Sequence, residues 1–313
     1  MEAVRAALLR APGPVKEVAE HLASSLGKGI RVKLLMACAM DKDENVTKDA
    51  VHAAASVELL HMASLVHDDI IDEAVLRRNI PAAHSKFGKE KAVLAGDWLL
   101  CLALRQAMDI TPPKNNGDES SQIDIARAFL TAAERVCLGE LDERGHLGDM
   151  GLSARSYLRI IDKKTAALFC LSARAGAMAG GLLSREVGLL VRFARYFGHV
   201  FQIADDVKDY SMKEADAQKS VKNDLLTGVI TMPAILAFAK EPGLKAMAAD
   251  VIREGRGIEA FIARLRKTGS VEQTAEICAK YAAKARTLLK DRSMEHRRDV
   301  LEGLLEKVMG VLV

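Results

Sequence analysis

The chain has 313 residues, half of them apolar, with seven prolines and 45 basic against 42 acidic side chains, a formal net charge of +3. That length is ample for a buried core, and so small a charge excess argues against a nucleic-acid partner or a generally basic membrane-binding surface. Long stretches rich in Ala, Leu, Glu, Lys and Arg, with few alternating β-branched runs, predict an all-α protein. Cys38, Cys101, Cys137, Cys170 and Cys278 stand singly among apolar helical residues, without zinc or redox spacing, which fits core thiols in a reducing cytosol. The first residues carry an early acid and prolines and fit neither a signal nor a transit peptide. Even VLAGDWLLCLALR is interrupted by Asp97, so no membrane anchor is expected and the predicted location is cytoplasmic.

Residues 1–25 predict two short helices separated by Ala11-Pro12-Gly13-Pro14. LGKGIRVKLLMACAM then places Lys28 and Arg31 three apart at the entry to an apolar helix, a pattern also common at solvated helix starts. Thr47 opens a central helix. On it, His61 lies two turns before Asp68 on nearly the same face, a position equally suited to a core histidine. That helix leads into HDDIIDEAVLRRNIP, where Asn79 and Pro81 end the run. Read as helix, Arg77 and Arg78 point about 100° apart and can serve two different anions. Residues Ile110 to Gln122 read as an exposed loop. YLRIIDKKTAALF next presents Lys164 and Thr165 at the edge of an apolar helix, and Gln202 precedes a second acidic run, ADDVKD. Lys219 follows in a polar stretch, and the helices beyond Gly255 carry no readable site.

The two acidic runs carry the chemistry. Asp68 and Asp72 sit one above the other on a helix, with Asp69 beside them. At about 4 Å and an effective dielectric near 20, each like-charged pair repels by roughly 4 kcal/mol. A hard divalent cation such as Mg²⁺ removes that conflict and is commonly shared with a substrate phosphate, which arginines such as Arg77 and Arg78 suit. A solvated acidic helix end is the plainer explanation for one cluster alone. Asp205, Asp206 and Asp209 repeat the same offsets after another apolar helical run, which surface decoration does not explain.

The pair of DDxxD motifs, with RR after the first and FQ before the second, resembles the all-trans isoprenyl diphosphate (polyprenyl) synthases of medium- or long-chain type, from about Leu26 to the last helices. The resemblance implies a single-domain helical bundle with a central cavity (isoprenoid synthase type) spanning 1–313, active as a homodimer. It implies Mg²⁺, with Mn²⁺ an alternative, held by Asp68, Asp69, Asp72, Asp205, Asp206 and Asp209. Lys28, Arg31, His61 and Arg78 would bind isopentenyl diphosphate, and Arg77, Lys164, Thr165, Gln202 and Lys219 an allylic diphosphate. Four departures stand out: Gly29 and Val32 in the lysine-arginine motif, Glu143 where GExxQ has glutamine, and Val229 where many members have lysine. One turn before the first motif, Ala63 and Ser64 are small where short-chain members often carry aromatics. The implied reaction is repeated head-to-tail condensation to a trans-polyprenyl diphosphate longer than fifteen carbons. A non-catalytic or regulatory subunit of a heteromeric synthase, and a terpene cyclase on the same fold, are the alternatives.

Overall fold

A computed structural model describes residues 1–111, 121–211 and 224–310. Lys219 and most of the expected 110–122 loop lie outside the described residues. In chain order the helices are α1 (Glu2–Leu9), α2 (Gly13–Ala23), α3 (Ile30–Ala39), α4 (Lys48–Ile71), α5 (Ala83–Phe87), α6 (Lys89–Met108), α7 (Ser121–Arg144), α8 (Ala154–Ile161), α9 (Ala167–Ala179) and α10 (Ser184–Ser211). They continue with α11 (Met232–Lys240), α12 (Gly243–Glu254), α13 (Ile258–Lys267), α14 (Ser270–Leu289) and α15 (Arg298–Met309). Strands are confined, among the described residues, to a two-stranded hairpin, β1 (Leu76–Arg77) and β2 (Ile80–Pro81). The all-α expectation holds, and no helix among the described residues is long and apolar enough to cross a membrane.

The chain divides into two compact units, the first comprising 1–134, 168–191 and 292–297, the second the remainder. In the first unit α4 is central. Thr47 caps it, its Oγ1 accepting from Ala50 N at 3.1 Å. It buries residues on most of its circumference, from Ala53, Ala54 and Ala55 through Leu59, Leu60 and Val66, because α3 and α6 both pack on it. In the same unit α9 lies so near α3 that a Cβ on Gly180 would stand 2.6 Å from the Ala39 carbonyl oxygen, and one on Gly176 would collide with that of Leu35. In the second unit α11, apolar and opened by Thr231 with Pro233 in its first turn, packs against α8, α12, α13 and α14.

One expectation is corrected. Helical geometry does not reach Arg78: α4 stops at Ile71, Asp72 is its cap, and Glu73 turns to φ 52°. Leu76 pairs with Pro81 and Arg77 with Ile80, leaving a two-residue loop in which Arg78 and Asn79 have φ of 52° and 66°. That is the primed-turn geometry matching the twist of a tight hairpin. Asparagine tolerates it, but arginine in that region costs about 1 kcal/mol. External bonds hold it there: Arg78 Nη1 donates to Ser25 O at 2.7 Å, and His21 Nε2 donates to Pro81 O at 2.8 Å.

The α3–α9 contact yields a stability prediction. Gly176→Ala places a methyl against a backbone carbonyl that cannot rotate away, so a loss of about 1–3 kcal/mol is expected. Urea unfolding should show a lower midpoint at unchanged slope, whereas Gly188→Ala, with nothing near its Cβ position, should show little change.

Candidate functional site

In the first unit the first acidic motif sorts its carboxylates by depth. Asp69 is buried, 4% exposed, while Asp68 is half-buried and Asp72 exposed. Arg77 donates from Nε to Asp69 Oδ1 at 2.8 Å and from Nη2 to the same oxygen. The hairpin is thereby tied to the helix it follows, and the central aspartate, expected to be a metal ligand, is committed to an arginine.

Beside it lies a cationic pocket. Arg31 Nη1 is 2.9 Å from His61 Nε2, and its guanidinium stands 4.8 Å from the Phe169 ring centroid. Guanidinium nitrogens only donate, so His61 Nε2 accepts and the ring proton sits on Nδ1. Burial, and then Arg31, Arg78 and Arg77, push the His61 pKa well below its ordinary value, which keeps the ring neutral. Burial lowers that of Arg31 to about 10, leaving it cationic at neutral pH. His61 Nδ1 and Arg31 Nε are both buried without a protein hydrogen-bond partner. Two such orphaned donors in one pocket suit an anionic ligand. Lys28 is exposed, and Gly29, at φ 60°, opens α3 in a left-handed conformation that an arginine would adopt only with strain. Ala63 is buried and Ser64 half-buried, its hydroxyl donating to His61 O at 2.8 Å.

The second unit repeats the sorting. Asp206 is 3% exposed, Asp205 is exposed and Asp209 half-buried. Tyr157 Oη donates to Asp206 Oδ2 at 2.5 Å and Gln202 Nε2 to Oδ1 at 3.1 Å. Burial pushes the Asp206 carboxyl up to about 7 despite these bonds. Asp224 is pushed well above the carboxylate range by burial and by Asp206, Asp209, Glu143 and Asp205. Thr165 Oγ1 donates to Gln202 Oε1 at 2.8 Å, so one glutamine links the hydroxyl to the buried aspartate. Lys164 reaches Glu140 Oε2 at 2.7 Å and also bonds Glu143. Burial works against its charge, but Glu143 and Glu140 hold its pKa above the ordinary lysine value. Gly139 makes this possible: a Cβ there would lie 2.5 Å from Lys164 N. Glu143 is thus neutralised by Lys164.

Sequence reasoning missed Tyr157, which looks like any apolar-face aromatic and meets Asp206 across 49 residues. Among the described residues no three His, Cys, Asp or Glu side chains are grouped closely enough to hold a metal ion unaided.

A family model described as polyprenyl synthetase matches residues 13–265. The heptaprenyl diphosphate synthase component 2 of Geobacillus stearothermophilus is 33% identical over 294 residues, 93% of this chain and 88% of that protein. The crystal structure of heptaprenyl diphosphate synthase from Staphylococcus aureus matches with a TM-score of 0.86 at 30% identity, covering 99% of this chain and 95% of that one. A polyprenyl synthase from Caulobacter crescentus CB15, complexed with calcium and isoprenyl diphosphate, matches with a TM-score of 0.84 at 26% identity over 98% of this chain and 92% of that one.

Arg77→Met strips Asp69 of its cation and is expected to cost about 1–3 kcal/mol. Adding Asp69→Asn to that variant should restore most of the loss in urea unfolding; equal losses in the single and double variants would mean the pair does not secure the hairpin.

Proposed function

The chain belongs to the polyprenyl synthetase family, and we infer that it condenses an allylic diphosphate with isopentenyl diphosphate, head to tail and repeatedly, to a trans-polyprenyl diphosphate longer than fifteen carbons. The observation that carries this reading is the repeated acid pattern: in each motif the central aspartate is buried and bonded while its two outer neighbours lie nearer the surface. Asp68, Asp72, Asp205 and Asp209 are then the carboxylates that would hold divalent cations, Mg²⁺ or alternatively Mn²⁺. The donor set fits: these are hard oxygen ligands, and burial first, then neighbouring carboxylates, push the Asp206 and Asp224 carboxyls up, a penalty that a divalent cation nearby would relieve. Bound cations would supply charge neutralisation for the diphosphate leaving group.

The chain's own residues divide the remaining work. Lys164 and Thr165, with Gln202 behind them and Arg77 and Lys219 as further cations, bind the allylic diphosphate. Its C1–O bond breaks, and the electron pair leaves with the diphosphate. Arg31, through its unpartnered Nε–H, and His61, through Nδ1–H, bind isopentenyl diphosphate together with Lys28 and Arg78. The double bond of that substrate attacks the allylic cation, a proton is lost to the departing diphosphate, and a new allylic diphosphate five carbons longer results. A neutral His61 donates without adding a charge that burial opposes.

Product length rests on Ala63 and Ser64. At about 0.8 kcal/mol per buried CH₂, an apolar path past two small side chains favours elongation, and the named heptaprenyl relatives support a product of that class. A terpene cyclase has no need of the Arg31–His61 pocket, and a non-catalytic subunit has no need of six aspartates. The free state of all five cysteines supports a cytoplasmic location. The word component in the Geobacillus stearothermophilus relative's name favours a second reading of assembly: catalytic chain of a two-chain enzyme rather than homodimer.

The test is extension of ten-, fifteen- and twenty-carbon allylic diphosphates by labelled isopentenyl diphosphate with Mg²⁺, with products resolved by length and the purified protein's mass measured alongside. Elongation beyond fifteen carbons is expected, reduced at least about 10³-fold in Asp68→Ala and Asp205→Ala, and shortened in Ala63→Phe. Inactivity of the chain alone with every starter would favour the two-chain reading, and activity of a symmetric dimer the other.

A further inference from the structure

Between α8 and α9 the helix widens into a π turn, Asp162–Ala166, the one such turn among the described residues. A π turn accommodates an extra residue at a cost in hydrogen-bond geometry and persists where side chains hold it. Here four consecutive side chains are bonded to α7 or α10. Asp162 meets both helices, Lys163 Nζ donates to Asp142 Oδ2 at 2.7 Å, Lys164 bonds Glu140 and Glu143, and Thr165 bonds Gln202.

Asp162 differs from the other three in being held by two arginines, and its carboxylate is nearly enclosed, with 12% of the side chain exposed. Arg195 grips it in a fork, Nε to Oδ1 at 2.6 Å and Nη2 to Oδ2 at 3.0 Å. Arg135 Nη2 donates to Oδ2 at 2.7 Å and also to the Asp162 carbonyl at 3.3 Å, so backbone and side chain are fixed by one residue of α7. Behind them His199 donates from Nδ1 to Arg195 O at 2.7 Å and stacks on Tyr281 at 5.0 Å.

We propose that Asp162 is a positioning residue for the allylic diphosphate: clamped between Arg135 of α7 and Arg195 of α10, it fixes the first residue of the π turn and so sets the direction in which Lys164 and Thr165 present their donors. The inference rests on the substrate role given above to Lys164 and Thr165. Geometry favours this over a purely structural ion pair. The Arg135 and Arg195 side chains are partly exposed, 38% and 58%, where screening trims what an ion pair adds to stability. The bidentate fork and the second bond to the carbonyl instead restrict orientation. Two residues later that orientation becomes the position of an ammonium group between two carboxylates. Without the clamp the turn can relax toward α-helical register, which would swing Lys164 and Thr165 around the helix axis.

The decisive comparison is steady-state kinetics of the wild type, Asp162→Asn, Asp162→Glu, Lys164→Ala and the Asp162→Asn/Lys164→Ala double variant, with KM measured separately for each substrate. For Asp162→Asn we expect the KM for the allylic diphosphate to rise about tenfold while that for isopentenyl diphosphate stays within about twofold. Asp162→Glu should recover part of the loss, and in the Lys164→Ala background Asp162→Asn should add little. If Asp162→Asn does not fold, Arg195→Gln, at an exposed arm of the clamp, should shift the same KM in the same direction. A fall in thermal stability with both KM values unchanged, or an equal rise in both, overturns the proposal. Calorimetric titration with inorganic diphosphate separates the two readings. A wild type that elongates nothing overturns the homodimeric reading and leaves the clamp to the titration. Binding weakened in Asp162→Asn and Lys164→Ala alike, without turnover, would still support the clamp, and binding unchanged in Asp162→Asn would refute it.

Discussion

An anionic substrate has to be received among carboxylates, and much of the local structure follows from how that charge is managed. Each acid motif commits its central aspartate to the interior, Asp69 to Arg77 and Asp206 to Tyr157 and Gln202. A buried carboxylate with a partner is a fixed point, whereas one without is costly. The fixed aspartate in turn anchors something else: a hairpin in the first unit, and in the second a glutamine that also receives Thr165. The outer carboxylates, Asp68, Asp72, Asp205 and Asp209, are left nearer solvent. Glu143 obeys the same rule, its charge offset by Lys164.

The parts visible in the sequence are those governed by short-range periodicity. Helix spacing placed Asp68 and Asp72 on one turn, and a threonine before an apolar helical run located the cap at Thr47, because both depend on residues within four positions of each other. The turn at Arg78 was not visible, since arginine gives no local signal for a left-handed backbone. Its conformation is imposed by Ser25 and His21, more than fifty residues upstream. Tyr157 and Asp162 were silent for the same reason. Their partners lie 27 to 49 residues away, and an aromatic or an acid on a helix face carries no mark of what it will meet.

Substitutions relative to the family pattern also read differently in three dimensions. Gly29 supplies a positive φ at the start of α3. Val229 uses its backbone rather than its side chain, N donating to Asp224 O at 2.7 Å to close the turn before α11. Neither changes the acid sorting, and neither disturbs the Arg31–His61 pair.

The bonds from His21 to Pro81 and from Arg78 to Ser25 limit how this sequence can drift. The amino-terminal helices hold no group that reacts, and by composition they look expendable. They nevertheless form the abutment against which a strained arginine is braced, so constraint on that turn extends to residues more than fifty positions upstream of it. Variation there would be filtered by geometry rather than by chemistry, and a swap of the first 25 residues between homologous proteins would disturb the hairpin without changing one residue of it.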